Sequence, residues 1–244
     1  MRLLSTKEAV DNALRVLLYA GEEYRTRNWQ ANLISENHMV ELTNVFLQMQ
    51  MIQRFSTITL QQATGADLPW AEDHFNERLA GRSNPGEQYK NWPYLPDFEA
   101  YLNEEGQFSH TYQERFWPEK GGNWKDVVDR LSSDTTTRQA FLGIWHPEDQ
   151  YNKGVRVPCT IGYWFKINKG LLDITYLIRS CDARRHFRND VYMTQRLASE
   201  MIRELSLKGI DLCMGAMTVW IGSFHCFRPD TYEIKKQLNK LEHE

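Results

Sequence analysis

The sequence predicts a single α+β domain over residues 1–244. Helical periodicity is found near the N-terminus, whereas short runs of β-branched and aromatic residues dominate from Phe141 onward. No repeat, low-complexity tract or linker divides the chain. A chain of 244 residues is also long enough to bury a sizeable core.

The N-terminal part contains two expected helices. Ser5 to Glu8 have the spacing of a capping box, and the apolar residues that follow fall on one helical face. A second helix is expected from Glu72 to Leu79. Residues 81–124 are rich in glycine, proline, asparagine and aromatic residues, which predicts long loops broken by short helices. Loops of that length in a compact domain are often functional.

The C-terminal part combines strands with two helices. Asn168-Lys169-Gly170 separates two strand-like runs and is typical of a hairpin. Apolar residues from Val191 to Leu205 indicate a long buried helix that ends near Gly209. The other expected elements are strands over 141–145, 160–167, 172–179 and 214–221 and a charged helix over 229–241.

The composition is that of a soluble globular protein, with 41% hydrophobic and 25% charged residues. A net charge of -3 argues against a nucleic-acid polymer as partner, whereas a free nucleotide needs only a few local arginines. No signal peptide or membrane span is expected. The four cysteines have neither a metal-ligand spacing nor the density of a disulfide framework, so we expect a reduced, cytoplasmic protein without a metal.

Cys159 is the first candidate for chemistry, because it stands at the start of an expected strand directly after a loop. A lone cysteine there is usually a small buried hydrophobic residue. A nucleophilic role requires a nearby cation that stabilises the thiolate. Arg138 and Arg179, each at the edge of an expected strand, are the candidates for that cation.

Other polar residues cluster where expected strands end. Arg179 is followed directly by Ser180 and by Asp182, and Asp190 comes near the start of the long helix. The alternative for Asp190 is a helix cap, a position that favours aspartate. His225 closes another strand, where a histidine is by default structural.

These segments together resemble the thymidylate synthase family. Residues 138–159 are similar to its arginine and nucleophile segments, and Arg179 with Ser180 to its phosphate-binding pair. The likeness extends over about residues 70–230. Asp182 resembles the folate-contacting aspartate, His225 the sugar-binding histidine, Tyr112 an active-site tyrosine and Trp92 an active-site tryptophan.

Within the family, the stretch from Phe187 to Asp190 resembles the deoxycytidylate hydroxymethylases of phages, which would place the protein in the host cytoplasm. The synthases have asparagine where Asp190 stands, and an amide pairs with the ring N–H and 4-carbonyl of uracil. Cytosine offers a bare ring nitrogen and an amine instead. An aspartate accepts from that amine and can share a proton with the ring nitrogen, so cytosine is the expected base.

The resemblance implies a thymidylate synthase-like fold with a mixed sheet, whose face is used for homodimerisation. The implied reaction adds a hydroxymethyl group to carbon 5 of dCMP. Cys159 attacks carbon 6, and 5,10-methylenetetrahydrofolate, held by Asp182 and Trp92, donates the carbon. Arg138, reaching across the dimer, and Arg179 bind the phosphate. Glu72 is the expected proton-transfer group, because Phe75 follows it at the family's spacing.

Several alternatives stay open at this level. Glu77 competes with Glu72 for proton transfer. Gln139 stands where the family has a second phosphate arginine, Phe227 replaces a sugar-contacting tyrosine, and Thr160 replaces a histidine. The family's phosphate loop is not recognisable around residues 34–42. The rival functions are a cytidylate methyltransferase, an inactive nucleotide-binding protein, and a thiol hydrolase that uses Cys159 with His225.

Overall fold

The computed structural model describes residues 3–25, 38–53, 56–80, 91–94, 102, 104–106, 108, 110–118, 121–151 and 156–240. The strands are β1 (Leu4–Ser5), β2 (Glu22–Arg25), β3 (His38–Gln50), β4 (Phe141–Gly143), β5 (Thr160–Asn168), β6 (Leu171–Asp182) and β7 (Cys213–Phe227). The helices are α1 (Thr6–Ala20), α2 (Thr57–Thr64), α3 (Trp70–Leu79), α4 (Tyr112–Phe116), α5 (Trp124–Ser133), α6 (Phe187–Ser206) and α7 (Thr231–Lys240).

The strands form one mixed sheet in the order β1-β3-β7-β6-β5-β4, with β2 also paired to β3. β6 runs parallel to β7. The pairs β3 with β7, β5 with β6 and β4 with β5 are antiparallel. The α+β class predicted from the sequence is confirmed by this architecture.

The buried helix α6 contacts the two central strands β6 and β7, and helices α2, α3 and α5 pack against α6 in turn. Eleven of its residues are buried. Because α6 begins directly after β6, the end of that strand and the first turn of the helix lie side by side. Polar groups carried by these two elements are therefore brought together.

Local signals in the sequence account for two of the boundaries. Ser5 and Glu8 form the predicted capping box at the start of α1. Lys169 and Gly170 both have positive φ, 51° and 76°, which is the geometry of a two-residue turn between antiparallel strands. The predicted hairpin between β5 and β6 is thus confirmed.

Other boundaries differ from the predictions. The strand expected over 141–145 ends at Gly143, and the last strand extends to Phe227 and so includes His225. The 13-residue strand β3 was not predicted, because its outward-facing residues interrupt any apolar run. Residues 38–42, within the stretch searched for a phosphate loop, belong to β3, while residues 34–37 and 81–90 lie outside the described residues.

Among the described helices, none combines the length and the apolar composition that crossing a bilayer requires.

Candidate active site

A cavity opens between α3, the start of β5, the end of β6 and the first turns of α6. It is lined by Trp70, His74, Arg78, His110, Tyr112, Arg156, Val157, Cys159, Ile178, Ser180, His186, Asp190 and Met193. Four residues predicted from the sequence therefore meet in one place: Cys159, Tyr112, Ser180 and Asp190.

Cys159 lies one residue before β5, and its thiol faces this cavity. Burial raises the pKa of Cys159, while the positive charges of Arg179 and Arg156 act in the opposite direction. One terminal nitrogen of Arg179 lies 3.9 Å from the sulfur. The thiol thus has the neighbouring cation that a nucleophilic cysteine requires.

Arg179 also holds the backbone that carries this thiol. Its Nε donates to the carbonyl of Pro158 at 2.9 Å, and Nη2 donates to the carbonyl of Val157 at 3.0 Å. Its backbone N–H donates to the carbonyl of Cys159 at 2.9 Å. A single arginine therefore fixes three consecutive residues of the nucleophile segment.

Asp190 lies in the first turn of α6, one turn past the N-cap residue His186. Its backbone N–H donates to the His186 carbonyl at 2.8 Å. The carboxylate accepts from the Cys181 thiol, with 3.8 Å between sulfur and Oδ2, and faces the cavity instead of capping the helix. Burial raises the pKa of Asp190 to about 7, against the effects of Arg78 and Cys181.

Tyr112 stands at the N-terminus of α4 and connects the cavity to the sheet. Its hydroxyl accepts from Thr160 at 3.2 Å, and Thr160 also bonds the hydroxyl of Tyr176 at 3.0 Å. The guanidinium of Arg78 lies 4.1 Å from the centre of the Tyr112 ring. Thr160, which replaces a family histidine, thus acts as a bridge between two buried tyrosines.

Three residues of α3 form a hydrogen-bonded chain along the cavity wall. Nδ1 of His74 lies 3.3 Å from the Glu77 carboxylate, and Nε2 of His74 lies 2.9 Å from a terminal nitrogen of Arg78. Burial, followed by the charges of Arg78 and His186, lowers the pKa of His74 well below its ordinary value. A neutral imidazole that donates to Glu77 and accepts from Arg78 satisfies all three groups.

Glu72 does not line this cavity. Its carboxylate accepts from Arg196 Nε at 2.8 Å and from the Tyr192 hydroxyl at 2.8 Å, both on α6. On a helix, Glu72 points away from the side that carries Trp70 and His74. Its predicted proton-transfer role therefore stays a prediction that this geometry does not support. The competing Glu77 is not among the lining residues, and it contacts His74, which is.

Asp182 is the last residue of β6, and its carboxylate accepts several hydrogen bonds. Oδ1 accepts from the backbone N–H groups of Arg184 and Arg185 at 2.9 and 3.0 Å, and Oδ2 accepts from the Arg185 guanidinium at 2.8 Å. Although burial opposes ionisation, Arg185, His225 and His186 hold the pKa of Asp182 below its ordinary value. Asp182 is therefore an ionised carboxylate beside the cavity.

His225 pairs with Asp182 across the parallel strands β6 and β7. It is 8% exposed, and its Nδ1 lies 3.3 Å from the Ser223 hydroxyl, which in turn donates to Glu41. His225 is not among the residues that line the cavity together with Cys159. The thiol hydrolase alternative, which needs these two side chains together, gains no support from this arrangement.

Trp92 lies behind the cavity wall, stacked on His186 with 4.4 Å between ring centres. It also contacts Trp70 and Tyr94. Its indole Nε1 is buried and has no hydrogen-bond partner within the described part of the chain. Burial lowers the pKa of His186 to about 4, so the stacked imidazole is neutral near pH 7.

Arg138 and Gln139 lie outside the cavity lining, on the segment that leads into β4. The carbonyl of Arg138 accepts from the Trp164 indole at 3.2 Å. The side chain of Gln139 accepts from Arg130 at 2.8 Å in an exposed bond. Within one chain, neither residue is brought to Cys159.

The lining includes basic residues that the sequence analysis did not single out: His74, Arg78, His110, Arg156 and His186. Three of the lining residues, Trp70, His74 and Arg78, recur every four positions on α3, which begins two residues before the predicted start at Glu72. That spacing is the only signal that places them on one face. Arg156 and His110 belong to irregular segments, for which periodicity offers no information.

The fold and cavity define an α+β protein with a partly buried thiol, a neighbouring arginine and a carboxyl of raised pKa in one site. The protein-family model described as "Thymidylate synthase" matches residues 83–244, more than half of the chain. The chain belongs to the thymidylate synthase family. Its sheet and helix arrangement agrees with that assignment.

Two individual proteins are similar to this chain. A putative thymidylate synthase of Methanococcoides burtonii is 29% identical over 137 residues, which cover 55% of this chain and 60% of that protein. The chain thus spans less than two thirds of that curated relative. The structure of the thermostable thymidylate synthase A from Bacillus subtilis has a TM-score of 0.71 at 13% identity, covering 96% of this chain and 84% of that one. At that identity the second match shows the fold alone.

Proposed function

We propose that this protein transfers a one-carbon unit to carbon 5 of a cytidylate, and that its product is 5-hydroxymethyl-dCMP. The observation that carries the proposal is the presence of Cys159 and Asp190 in the same cavity. A thiol can activate the pyrimidine ring by adding at carbon 6. A carboxyl with a pKa of about 7 can both accept from the cytosine amine and share a proton with ring nitrogen 3.

Activation of the thiol depends on the arginines that surround it. Burial raises the pKa of Cys159, and the positive charges of Arg179 and Arg156 oppose that rise and favour the thiolate. Addition at carbon 6 pushes electrons toward carbon 5 and ring nitrogen 3. The proton on Asp190 stabilises the negative charge that develops at that nitrogen. Asp190 thereby links base recognition to ring activation.

Methylenetetrahydrofolate is the proposed donor, and it would supply an electrophilic carbon to the activated ring. Trp92 and Asp182 are the residues that would hold it. The buried Trp92 Nε1 has no hydrogen-bond partner among the described residues, so a ligand acceptor that reached it would satisfy an orphaned donor. Asp182 Oδ2 accepts one bond, from Arg185, and a carboxylate oxygen can accept a second. Both residues contact His186 of the cavity lining, which supports the proposal of a pterin site beside the nucleotide.

Release of tritium from carbon 5 of labelled dCMP, with product analysis, tests this function. We expect tritium release and hydroxymethyl-dCMP together with tetrahydrofolate. Formation of methyl-dCMP with dihydrofolate would instead identify a methyltransferase. Binding of dCMP without any release from carbon 5 would identify an inactive nucleotide-binding protein and overturn the proposal.

The variant Cys159→Ala separates covalent chemistry from binding. It should abolish tritium release while the affinity for dCMP stays within roughly tenfold, because a nucleophile contributes little ground-state affinity. Dissociation constants from calorimetry provide the comparison. Product formation by this variant would contradict the covalent mechanism.

A further inference from the structure

The cavity lining includes a basic group formed by Arg156, His110 and His186. Arg156 lines the cavity together with His110 and His186, and its carbonyl lies 3.3 Å from Nδ1 of His110. Burial, together with Arg156, lowers the pKa of both histidines to about 4. Near pH 7 these two imidazoles are therefore neutral, and Arg156 is the positively charged member of this group.

A nucleotide monophosphate is close to dianionic and is bound best by more than one guanidinium. Arg179 is committed in part to the carbonyls of Val157 and Pro158. Gln139 is uncharged, bonded to Arg130 and outside the cavity lining. Arg78 is 4% exposed, whereas Arg156 is partly exposed and lines the cavity.

We propose that Arg156 is a further cation that binds the phosphate of the nucleotide, supplied by the same chain as Cys159. This inference rests on the proposed function and identifies a binding residue of that site. Arg156 stands three residues before the nucleophile, on the segment that Arg179 fixes at two carbonyls. The proposed phosphate-binding cation and the thiol are therefore only three residues apart, and Arg179 bonds the backbone between them.

Arg156 also affects the pKa of the Cys159 thiol. Its charge, after that of Arg179, opposes the effect of burial on the pKa of Cys159. When the phosphate binds, its negative charge partly neutralises this stabilisation of the thiolate. Two arginines, instead of one, keep the site cationic around the sulfur after the nucleotide is bound.

The test compares ligands with and without a phosphate. Dissociation constants of dCMP and of deoxycytidine are measured by calorimetry for the wild-type protein, for Arg156→Gln and for Arg156→Lys. Arg156→Gln should weaken dCMP binding by roughly ten- to hundredfold, as expected for a lost charge-assisted hydrogen bond, and deoxycytidine binding by less than about twofold. Arg156→Lys, which keeps the charge, should recover part of the dCMP affinity.

Arg203→Gln is the matched control, because Arg203 is exposed and paired with glutamates of its own helix. It should leave both dissociation constants unchanged, and thermal unfolding confirms that each variant is folded. Equal weakening of dCMP and deoxycytidine by Arg156→Gln would overturn the proposal, as would a loss confined to methylenetetrahydrofolate. A wild-type protein that binds no dCMP would overturn the proposed function itself.

Discussion

Asp190 shows how the same residue type can serve two different roles at the start of a helix. A capping aspartate bonds the free N–H groups of the first turn, whereas the Asp190 carboxylate accepts from Cys181 and faces the cavity. The N-cap position is occupied by His186, which makes no capping bond with its side chain. The cost of burying Asp190 is the reason its pKa rises to about 7.

Asp190→Asn should therefore shift substrate preference from dCMP toward dUMP. The amide pairs with the ring N–H and carbonyl of uracil, whereas its NH₂ faces the amine of cytosine as donor against donor. An unpaired buried polar group costs about 1–3 kcal/mol, so the ratio of kcat/KM values should move by roughly ten- to hundredfold. An unchanged ratio, or a wild-type preference for dUMP, would show that Asp190 does not read the base.

The pH dependence of dCMP binding tests the shared proton directly. As the pH rises through about 7, the Asp190 carboxyl loses the proton that cytosine nitrogen 3 accepts. Affinity should thus fall by up to about tenfold per pH unit above that value and level off below it. Calorimetry from about pH 6 to pH 8.5 measures the dissociation constant of dCMP. Asp190→Asn, which has no titrating group at this position, should lack the step.

At the scale of secondary-structure elements, the two sides of α3 make different contacts. Trp70, His74 and Arg78 face the cavity, whereas Glu72 binds Arg196 and Tyr192 of α6. Glu72 and Arg196 are both mostly buried, so their ion pair connects two helices that form the cavity walls. The geometry thus favours a structural role for Glu72.

Two matched variants distinguish a structural role of Glu72 from a catalytic role. If the ion pair is structural, Glu72→Gln and Arg196→Gln should each destabilise the protein by about 1 kcal/mol and reduce kcat by less than about fivefold. Thermal unfolding and tritium release provide the two readouts. Abolished release in Glu72→Gln alone, with Arg196→Gln active, would restore the proton-transfer role predicted from the sequence.

For the whole molecule, the position of Arg138 bears on assembly. Arg138 lies away from the cavity of its own chain, on the segment that precedes the short outer strand β4. Phe141 and Trp164 nearby are 42% and 36% exposed, and Phe46 on β3 is 70% exposed. These features support the proposal of a homodimer that pairs sheet faces and in which Arg138 completes the partner's site.

Mixing the inactive variants Arg138→Ala and Cys159→Ala tests this shared site. A hybrid dimer would keep one intact site, so random exchange of equal amounts should restore about one quarter of wild-type activity. Subunit exchange is verified with a size-tagged variant. If exchange occurs and no activity returns, Arg138 does not complete the partner's site, and the proposal of a shared site is contradicted.

Part of this site was predictable from the sequence because it depends on local order along the chain. Cys159 next to a strand, Arg179 with Ser180 and Asp182, and Asp190 after them are adjacent in sequence to elements whose periodicity is strong. The hairpin at Lys169 and Gly170 and the capping box at Ser5 are likewise local signals. The sequence by itself therefore determined the fold class, most strands and the core of the candidate site.

Tertiary structure alone decided what surrounds that core. Which face of α3 meets the cavity, and hence that His74 and Arg78 line it while Glu72 turns to Arg196, follows from packing against α6. Arg156 and His110 meet because two irregular segments cross. Such contacts join residues far apart in the chain, and burial shifts their proton affinities. Neither effect leaves a period or spacing in the sequence.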